Sequence, residues 1–223
     1  MRSSYSSLRS KVYFDEITFV TVFSHFTFHV SLNTKKEKTM EHNFIIAGFG
    51  GQGVLLAGEV LANAFMLDNK NVTWYPSYGA EMRGGTVNCE IVTSDEDVSE
   101  VNKPDADFIV ALNQASFDKF LPKIKKGGWM IANLTLVKEE KPRADINYVF
   151  VPITQLADEK VGNVRMANIL ALGIVAKVSR LTSLDTLNKA LDNVIPPHRK
   201  NLLPLNIEAL KIGYEYDLLA TKI

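Results

Sequence analysis

The chain has 223 residues, 25 Lys/Arg against 25 Asp/Glu, 46% apolar residues and one cysteine. A net charge of zero argues against a nucleic-acid binder, which carries a basic face. Cys89 alone excludes an intrachain disulfide and any four-cysteine zinc or iron–sulfur site built from this chain. The length and the apolar content are those of one globular domain with a good core.

Residues 1–39 differ from the rest. Ser-rich Met1–Ser10 leads into Val12-Tyr13-Phe14 and then Ile17–Val30, rich in Phe, Thr, Val and His. Asp15 and Glu16 precede the apolar part, and Ser24, His25, Thr27 and His29 interrupt it, so it is neither a signal peptide nor long enough to span a bilayer. His25 and His29 have i, i+4 spacing, but no Glu or Cys completes a metal set. Lys35-Lys36-Glu37-Lys38-Thr39 runs into Met40. Lys-Glu codons are purine-rich and resemble a bacterial ribosome-binding site just upstream of the Met40 codon. Met40 is therefore expected to be the true start, with 1–39 a leader and 40–223 the domain. Residues 1–39 hold six basic and three acidic residues, which leaves the remainder mildly acidic. Peptides from Val12–Lys35 in the mature protein would contradict this expectation.

From Asn43 strand and helix alternate. Asn43–Ala47 predicts a buried strand, followed by Gly48-Phe49-Gly50-Gly51-Gln52-Gly53. Gly48, Gly50 and Gly53 fit G-x-G-x-x-G: a strand, a tight turn and a helix N-terminus whose free N–H groups could hold an anion. Gln52–Asn69 carries apolar residues at helical spacing. Asn71–Tyr75 predicts a second strand, Pro76–Gly85 a loop and Thr86–Thr93 a third strand with one wetter face. A short strand over Asp107–Leu112 is followed by a brief helix over Ser116–Leu121, a basic turn over Lys123–Gly128 and a strand over Trp129–Asn133. Ile146–Val151 predicts a further strand and Thr154–Glu159 a short helix. Helices are then predicted over Asn163–Ser179, over Ser183–Val194 with a Ser183 cap, and over Leu205–Thr221. This order predicts an α/β, Rossmann-like three-layer sandwich with a mainly parallel sheet.

A dinucleotide site needs an acid closing the second strand, and Val72-Thr73-Trp74-Tyr75-Pro76 has none. Gly53-Val54-Leu55 likewise lacks the Lys-Ser/Thr of a phosphate-hydrolysing loop. Two readings of the glycines stay open: close packing of strand, helix and neighbouring chain, or an anion held by the turn. Tyr78-Gly79-Ala80-Glu81-Met82-Arg83-Gly84-Gly85 should leave the carboxyl end of the second strand, the edge where open α/β sheets bind ligands. There Arg83 could meet a carboxylate or phosphate bidentately, or merely steady an exposed loop beside Glu81. Gly162-Asn163-Val164-Arg165-Met166-Ala167-Asn168 opens a long helix, with Asn163 as its cap and Arg165 and Asn168 three residues apart on one face. These two could face a ligand or bond to neighbouring loops. No nucleophile–base pair stands out, and Cys89 falls in a core strand pattern.

Taken in order and spacing, Gly48–Gly53, Tyr78–Gly85 and Asn163–Asn168 resemble the gamma subunits of 2-oxoacid:ferredoxin oxidoreductases, over about Glu41 to Lys222. The Glu81-Met82-Arg83-Gly84-Gly85 form is more similar to the 2-oxoglutarate branch than to the pyruvate branch. The resemblance implies a cytoplasmic complex that oxidatively decarboxylates a 2-oxoacid, transfers the acyl group to coenzyme A and passes electrons to ferredoxin. It implies thiamine diphosphate, Mg and iron–sulfur clusters on alpha, beta and ferredoxin-like delta partners, with no cofactor held by this chain alone, no nucleic acid and no membrane. It points to coenzyme A handling or shaping of the active-site approach. The candidate residues are Gly48, Gly50, Gly51, Gln52, Gly53, Tyr78, Glu81, Arg83, Gly84, Gly85, Asn163, Arg165 and Asn168. The alternatives are a purely structural assembly subunit, or the equivalent chain of a pyruvate or indolepyruvate enzyme.

Overall fold

A computed structural model describes residues 40–78, 86–96, 98 and 103–218. The expected leader, with His25 and His29, lies outside them. Six strands form one sheet: β1 (Glu41–Phe49), β2 (Asn71–Tyr78), β3 (Thr86–Ser94), β4 (Ala106–Ala111), β5 (Ile124–Asn133) and β6 (Asn147–Val151), in the order β2-β3-β1-β4-β5-β6. β3 pairs antiparallel with both β1 and β2, and every other pair is parallel. Five strands therefore point one way, and their carboxyl ends share one edge.

Strand alternation divides the core between two faces. Phe44, Ile46, Cys89, Ile91, Val110, Ile131 and Val151 pack beneath α1 (Val54–Leu67), α4 (Ala167–Ser179), α5 (Leu184–Val194) and α6 (Leu203–Glu215). Ile153 and Ala157 of α3 (Ile153–Val161) join this side. On the other face Ile45, Ala47, Ile109, Met130 and Phe150 are covered by Phe117 and Phe120 of α2 (Gln114–Phe120), with Val137 and Ile146. The layers are helix, sheet and helix, as the alternation predicted.

Within the helical layer α4 and α6 touch backbone to backbone. A β-carbon at Gly173 would stand well inside 3.0 Å of Leu210 O, and one at Gly213 would do the same to Leu170 O. Only glycine fits either position.

Several boundaries differ from the sequence reading, each for a physical reason. β2 runs through Pro76 to Tyr78 where a loop was expected. β2 is the edge strand, and an edge tolerates a residue with no N–H to donate. Of the expected turn Lys123–Gly128, Lys123 ends a 3₁₀ turn and the rest is the bulged start of β5: its register against β4 shifts between Ala106 and Phe108, and Gly127 takes φ 78°. The long helix expected from Asn163 begins as a 3₁₀ turn, Val164–Met166, before α4. The last helix stops at Glu215, and Tyr216 turns extended with its carbonyl accepting from Lys177 Nζ. Ser183 caps α5 as predicted, accepting from Thr186 N.

Candidate functional site

The carboxyl edge of the sheet is built around the turn between β1 and α1. Gln52 N donates to Phe49 O, which closes the turn. Gly53 then starts α1 with φ 71°, a left-handed conformation that an L side chain reaches at about 1–2 kcal/mol. No side chain caps this helix and its first turn carries no acid, so its leading N–H groups keep their positive field.

Asn168, nearly fully buried at the head of α4, fixes the place where α1 begins. Its Nδ2 donates to Gly53 O at 3.0 Å, while its Oδ1 accepts from none of the described residues. A β-carbon at Gly53 would land on that amide. Asn163 takes the cap role: its Oδ1 accepts from Arg165 N at 3.0 Å and holds the 3₁₀ turn. The Arg165 side chain is exposed and has no hydrogen-bond or ion-pair partner among the described residues.

Gln52, a candidate for ligand contact, spends its amide on the protein. Its Oε1 accepts from Phe49 N at 2.6 Å and from Asn113 Nδ2 at 2.9 Å, and its Nε2 reaches Leu112 O at 3.4 Å. The network continues across the strand ends. Asn133 Nδ2 donates to Leu112 O at 3.2 Å and to Thr154 Oγ1 at 2.8 Å, and Asn133 Oδ1 accepts from Thr154 N at 3.2 Å. This belt ties the ends of β1, β4 and β5 to the start of α3. Each buried polar group in it is satisfied by another, which rigidifies the edge.

Above the belt lies a cavity of about 190 Å³. Gln52, Leu112, Asn133 and Thr154 line it together with Gly51, Leu136, Val164, Arg165 and Ala167. Arg165 is the only charged residue among them. Leu136 and Val164 are 47% and 50% exposed, and Phe49 in the glycine turn is 38% exposed. This edge thus presents large apolar side chains around a polar, cationic opening.

The structure brings the glycine turn together with Asn163, Arg165 and Asn168. Across β1, β3 and β2 it also aligns Gly48, Val87 and Tyr78 in one row, and it places Thr86 beside Phe49. The segment from Tyr78 to Thr86 therefore leaves and rejoins the sheet at this same edge. Gly50 lies in the turn, and Gly48 is pressed by Gln52 and Val54. Tyr78 closes β2; Glu81, Arg83, Gly84 and Gly85 fall outside the described residues. Sequence reading missed Asn113, Asn133 and Thr154. Leu112-Asn113 and Ala132-Asn133 each set an Asn directly behind an apolar strand, and that repeated ending is the signal that could have found them.

Cys89 is fully buried in β3 against α1, donating to Val54 O at 3.6 Å, and burial pushes its thiol up to about 12. Among the described residues no cluster of His, Cys, Asp and Glu could hold a metal ion. No helix among them is long and apolar enough to cross a membrane.

Comparison with known proteins places this architecture. Subunit KorC of the 2-oxoglutarate synthase of Methanocaldococcus jannaschii is 37% identical over 187 residues, covering 81% of this chain and 96% of that one. Subunit VorA of the ketoisovalerate oxidoreductase of Methanothermobacter thermautotrophicus is 35% identical over 77% of this chain, but the match spans only 35% of VorA. Among solved structures, the gamma subunit of a keto/oxoacid ferredoxin oxidoreductase from Geobacter sulfurreducens superposes with a TM-score of 0.69 at 30% identity, covering 81% of this chain and 99% of that one. Residues 43–216 match the pyruvate ferredoxin/flavodoxin oxidoreductase family, and the chain belongs to that family.

Proposed function

We propose that this chain is the gamma subunit of a 2-oxoglutarate:ferredoxin oxidoreductase, contributing its carboxyl edge to an active site completed by partner chains. The observation that carries this reading is the 37% identity to a KorC subunit along 96% of that subunit's length. The complex would oxidatively decarboxylate 2-oxoglutarate, form succinyl-coenzyme A and reduce ferredoxin.

The chain's own chemistry supports dividing this labour. An iron–sulfur cluster needs several accessible thiolates, and the one cysteine is buried and protonated. Thiamine diphosphate is held through a divalent cation on oxygen ligands, and among the described residues no carboxylate lines the cavity. The described residues do not fit either group, which supports the reading that both sit on partner chains, here taken to be alpha, beta and ferredoxin-like delta subunits of a cytoplasmic complex. Partnership has a second support. The match to VorA spans about a third of that chain, so in that relative the domain is one part of a longer polypeptide. A domain of this kind on a separate chain would dock on the one that carries the remainder.

Coenzyme A handling is the share we assign to this subunit, through Gly48–Gly53 and the segment carrying Tyr78, Glu81, Arg83, Gly84 and Gly85. The exposed Phe49, Leu136 and Val164 favour a second reading, in which this edge serves assembly alone. The test is to purify the chain with its partner subunits and assay a panel of 2-oxoacids with ferredoxin or a viologen acceptor. Preferred oxidation of 2-oxoglutarate is expected, and preference for pyruvate or indolepyruvate would reassign the branch. Within that complex, Arg83→Ala with intact assembly and a raised KM supports ligand contact. Loss of the partner subunits with unaltered kinetics in what remains supports assembly.

A further inference from the structure

We infer that the molecule carries a second ligand site at the opposite, amino edge of the sheet, and that its occupant is a small zwitterion, an α-amino acid with an apolar side chain. The site is independent of the chemistry assigned to the carboxyl edge.

A cavity of about 410 Å³ lies where α1 ends and α4 turns into α5. α1 has 14 residues, so Asp68 at its end stands about 20 Å along the helix from the glycine turn. The cavity wall holds two opposite charges, Asp68 and Arg180, and they form no ion pair with each other. Both are held in place. Asp68 Oδ1 accepts from Thr186 Oγ1 at 2.9 Å, and Thr186 is bonded in turn to Ser183, the cap of α5. Arg180 ends α4: its N–H donates to Ala176 O at 2.9 Å, and its φ is 57°. Glycine or asparagine is the usual occupant of such a left-handed cap. Lys177 already gives the last turn of α4 its cation, so the helix field does not call for a second. The reason for arginine here lies in what its side chain reaches, and that side chain has no hydrogen-bond or ion-pair partner among the described residues.

Thr182 adds an independent observation. It is 9% exposed, lines the same cavity, and its Oγ1 has no hydrogen-bond partner among the described residues. A buried hydroxyl without a partner is costly. A carboxylate seated on Arg180 gives it an acceptor, and a guanidinium's planar fork suits a carboxylate. Asp68 Oδ2 accepts from none of the described residues and suits an ammonium. Ala176, Leu181 and Tyr214 offer apolar surface to a side chain. A simple anion would stand against Asp68 and a simple cation against Arg180, whereas a zwitterion satisfies both.

L-Leucine is the probe. Its two halves are 4-methylpentanoate, which lacks the ammonium, and 3-methylbutylamine, which lacks the carboxylate. Calorimetric titration of the full chain should show leucine binding at about the millimolar level, the range open to so small a ligand. Amide shifts on isotope-labelled protein should centre on Arg180–Thr182. Each half should bind roughly tenfold more weakly or worse, since each loses one charge-assisted contact. Arg180→Gly keeps the left-handed cap and should weaken leucine and 4-methylpentanoate by a similar factor while leaving the amine unchanged. Asp68→Asn should weaken leucine and the amine and spare 4-methylpentanoate. Thr182→Val should weaken leucine severalfold without lowering the thermal midpoint. Leucine that leaves the Arg180–Thr182 amides unmoved overturns the site. 4-Methylpentanoate that binds as tightly as leucine overturns the zwitterion. Binding to the chain that disappears in the complex with its partner subunits also overturns the inference, because the edge is then an assembly surface. None of these measurements needs turnover, so their outcome and that of the 2-oxoacid panel are read separately.

Discussion

Two of the places where glycine brings chain segments together in this molecule differ in their tolerance. At the α4–α6 crossing the obstacle to a β-carbon is backbone: Leu210 O faces Gly173 and Leu170 O faces Gly213. At the carboxyl edge the obstacle at Gly53 is the Asn168 amide, a side chain that can move. The crossing is fixed by atoms that belong to two helices at once. The edge is fixed by a replaceable hydrogen bond. A fold can adjust the second without losing the first.

The crossing predicts the largest effect. Helix propensity alone says that Gly173→Ala should stabilise α4 by about 1 kcal/mol. Packing says the opposite, since the methyl group must push two helices apart, and overpacking costs about 3 kcal/mol or more where backbone cannot yield. The packing effect exceeds the propensity gain, so Gly173→Ala and Gly213→Ala should each lower the urea midpoint sharply. A midpoint at or above wild type would show that the crossing relaxes as freely as the edge.

The edge predicts a middle-sized and coupled effect. Gly53→Ala pays left-handed strain of about 1–2 kcal/mol. It also displaces the Asn168 amide from Gly53 O, worth about 1 kcal/mol. With Asn168→Ala already in place the second loss is gone. The double variant should therefore be less destabilised than the two single variants summed, by about 1 kcal/mol in a double-mutant cycle. Additivity within about 0.3 kcal/mol would mean that Asn168 is not what constrains the turn.

The same contrast explains what was legible in the sequence. Glycine spacing, strand alternation and the Ser183 cap are local signals, and they placed the layers, the turn at Gly48–Gly53 and the start of α5. Pro76 and Gly127-Gly128 were read as punctuation, because proline at an edge strand and glycine in a bulge are decided by tertiary position. The family resemblance rested on motifs and agrees with the match over residues 43–216. Arg165 and Asn168 were visible through their spacing, but their different fates were not: one amide closes on Gly53, and one guanidinium stays open beside the cavity. Asn113, Asn133 and Thr154 carry no motif. They meet only because β4 and β5 run parallel in a register that sets Ala111 beside Ala132. Gln52 looked like a ligand residue, being polar in a glycine turn, and its amide is instead taken up by Phe49 and Asn113.

A third glycine contact lies between these extremes and gives the smallest effect at neutral pH. Gly58 lets α1 settle on β3 at Cys89, whose thiol would meet any β-carbon placed there. Burial raises that thiol from 9.0 to about 12. A raised pKa means that the fold keeps a proton which the unfolded chain sheds first. The contribution is therefore fully present below pH 9, and it declines as pH rises toward 12. Wild type should lose stability over that window more steeply than Cys89→Ala, while the pH slopes of the two proteins coincide near pH 7. At pH 8 iodoacetamide should leave the folded protein unmodified and label Cys89 rapidly in urea, because only the thiolate reacts. Labelling of the folded chain at the unfolded rate would show that α1 lifts from β3 at Gly58. That contact would then rank with the adjustable edge, and the α4–α6 crossing would remain the fixed element.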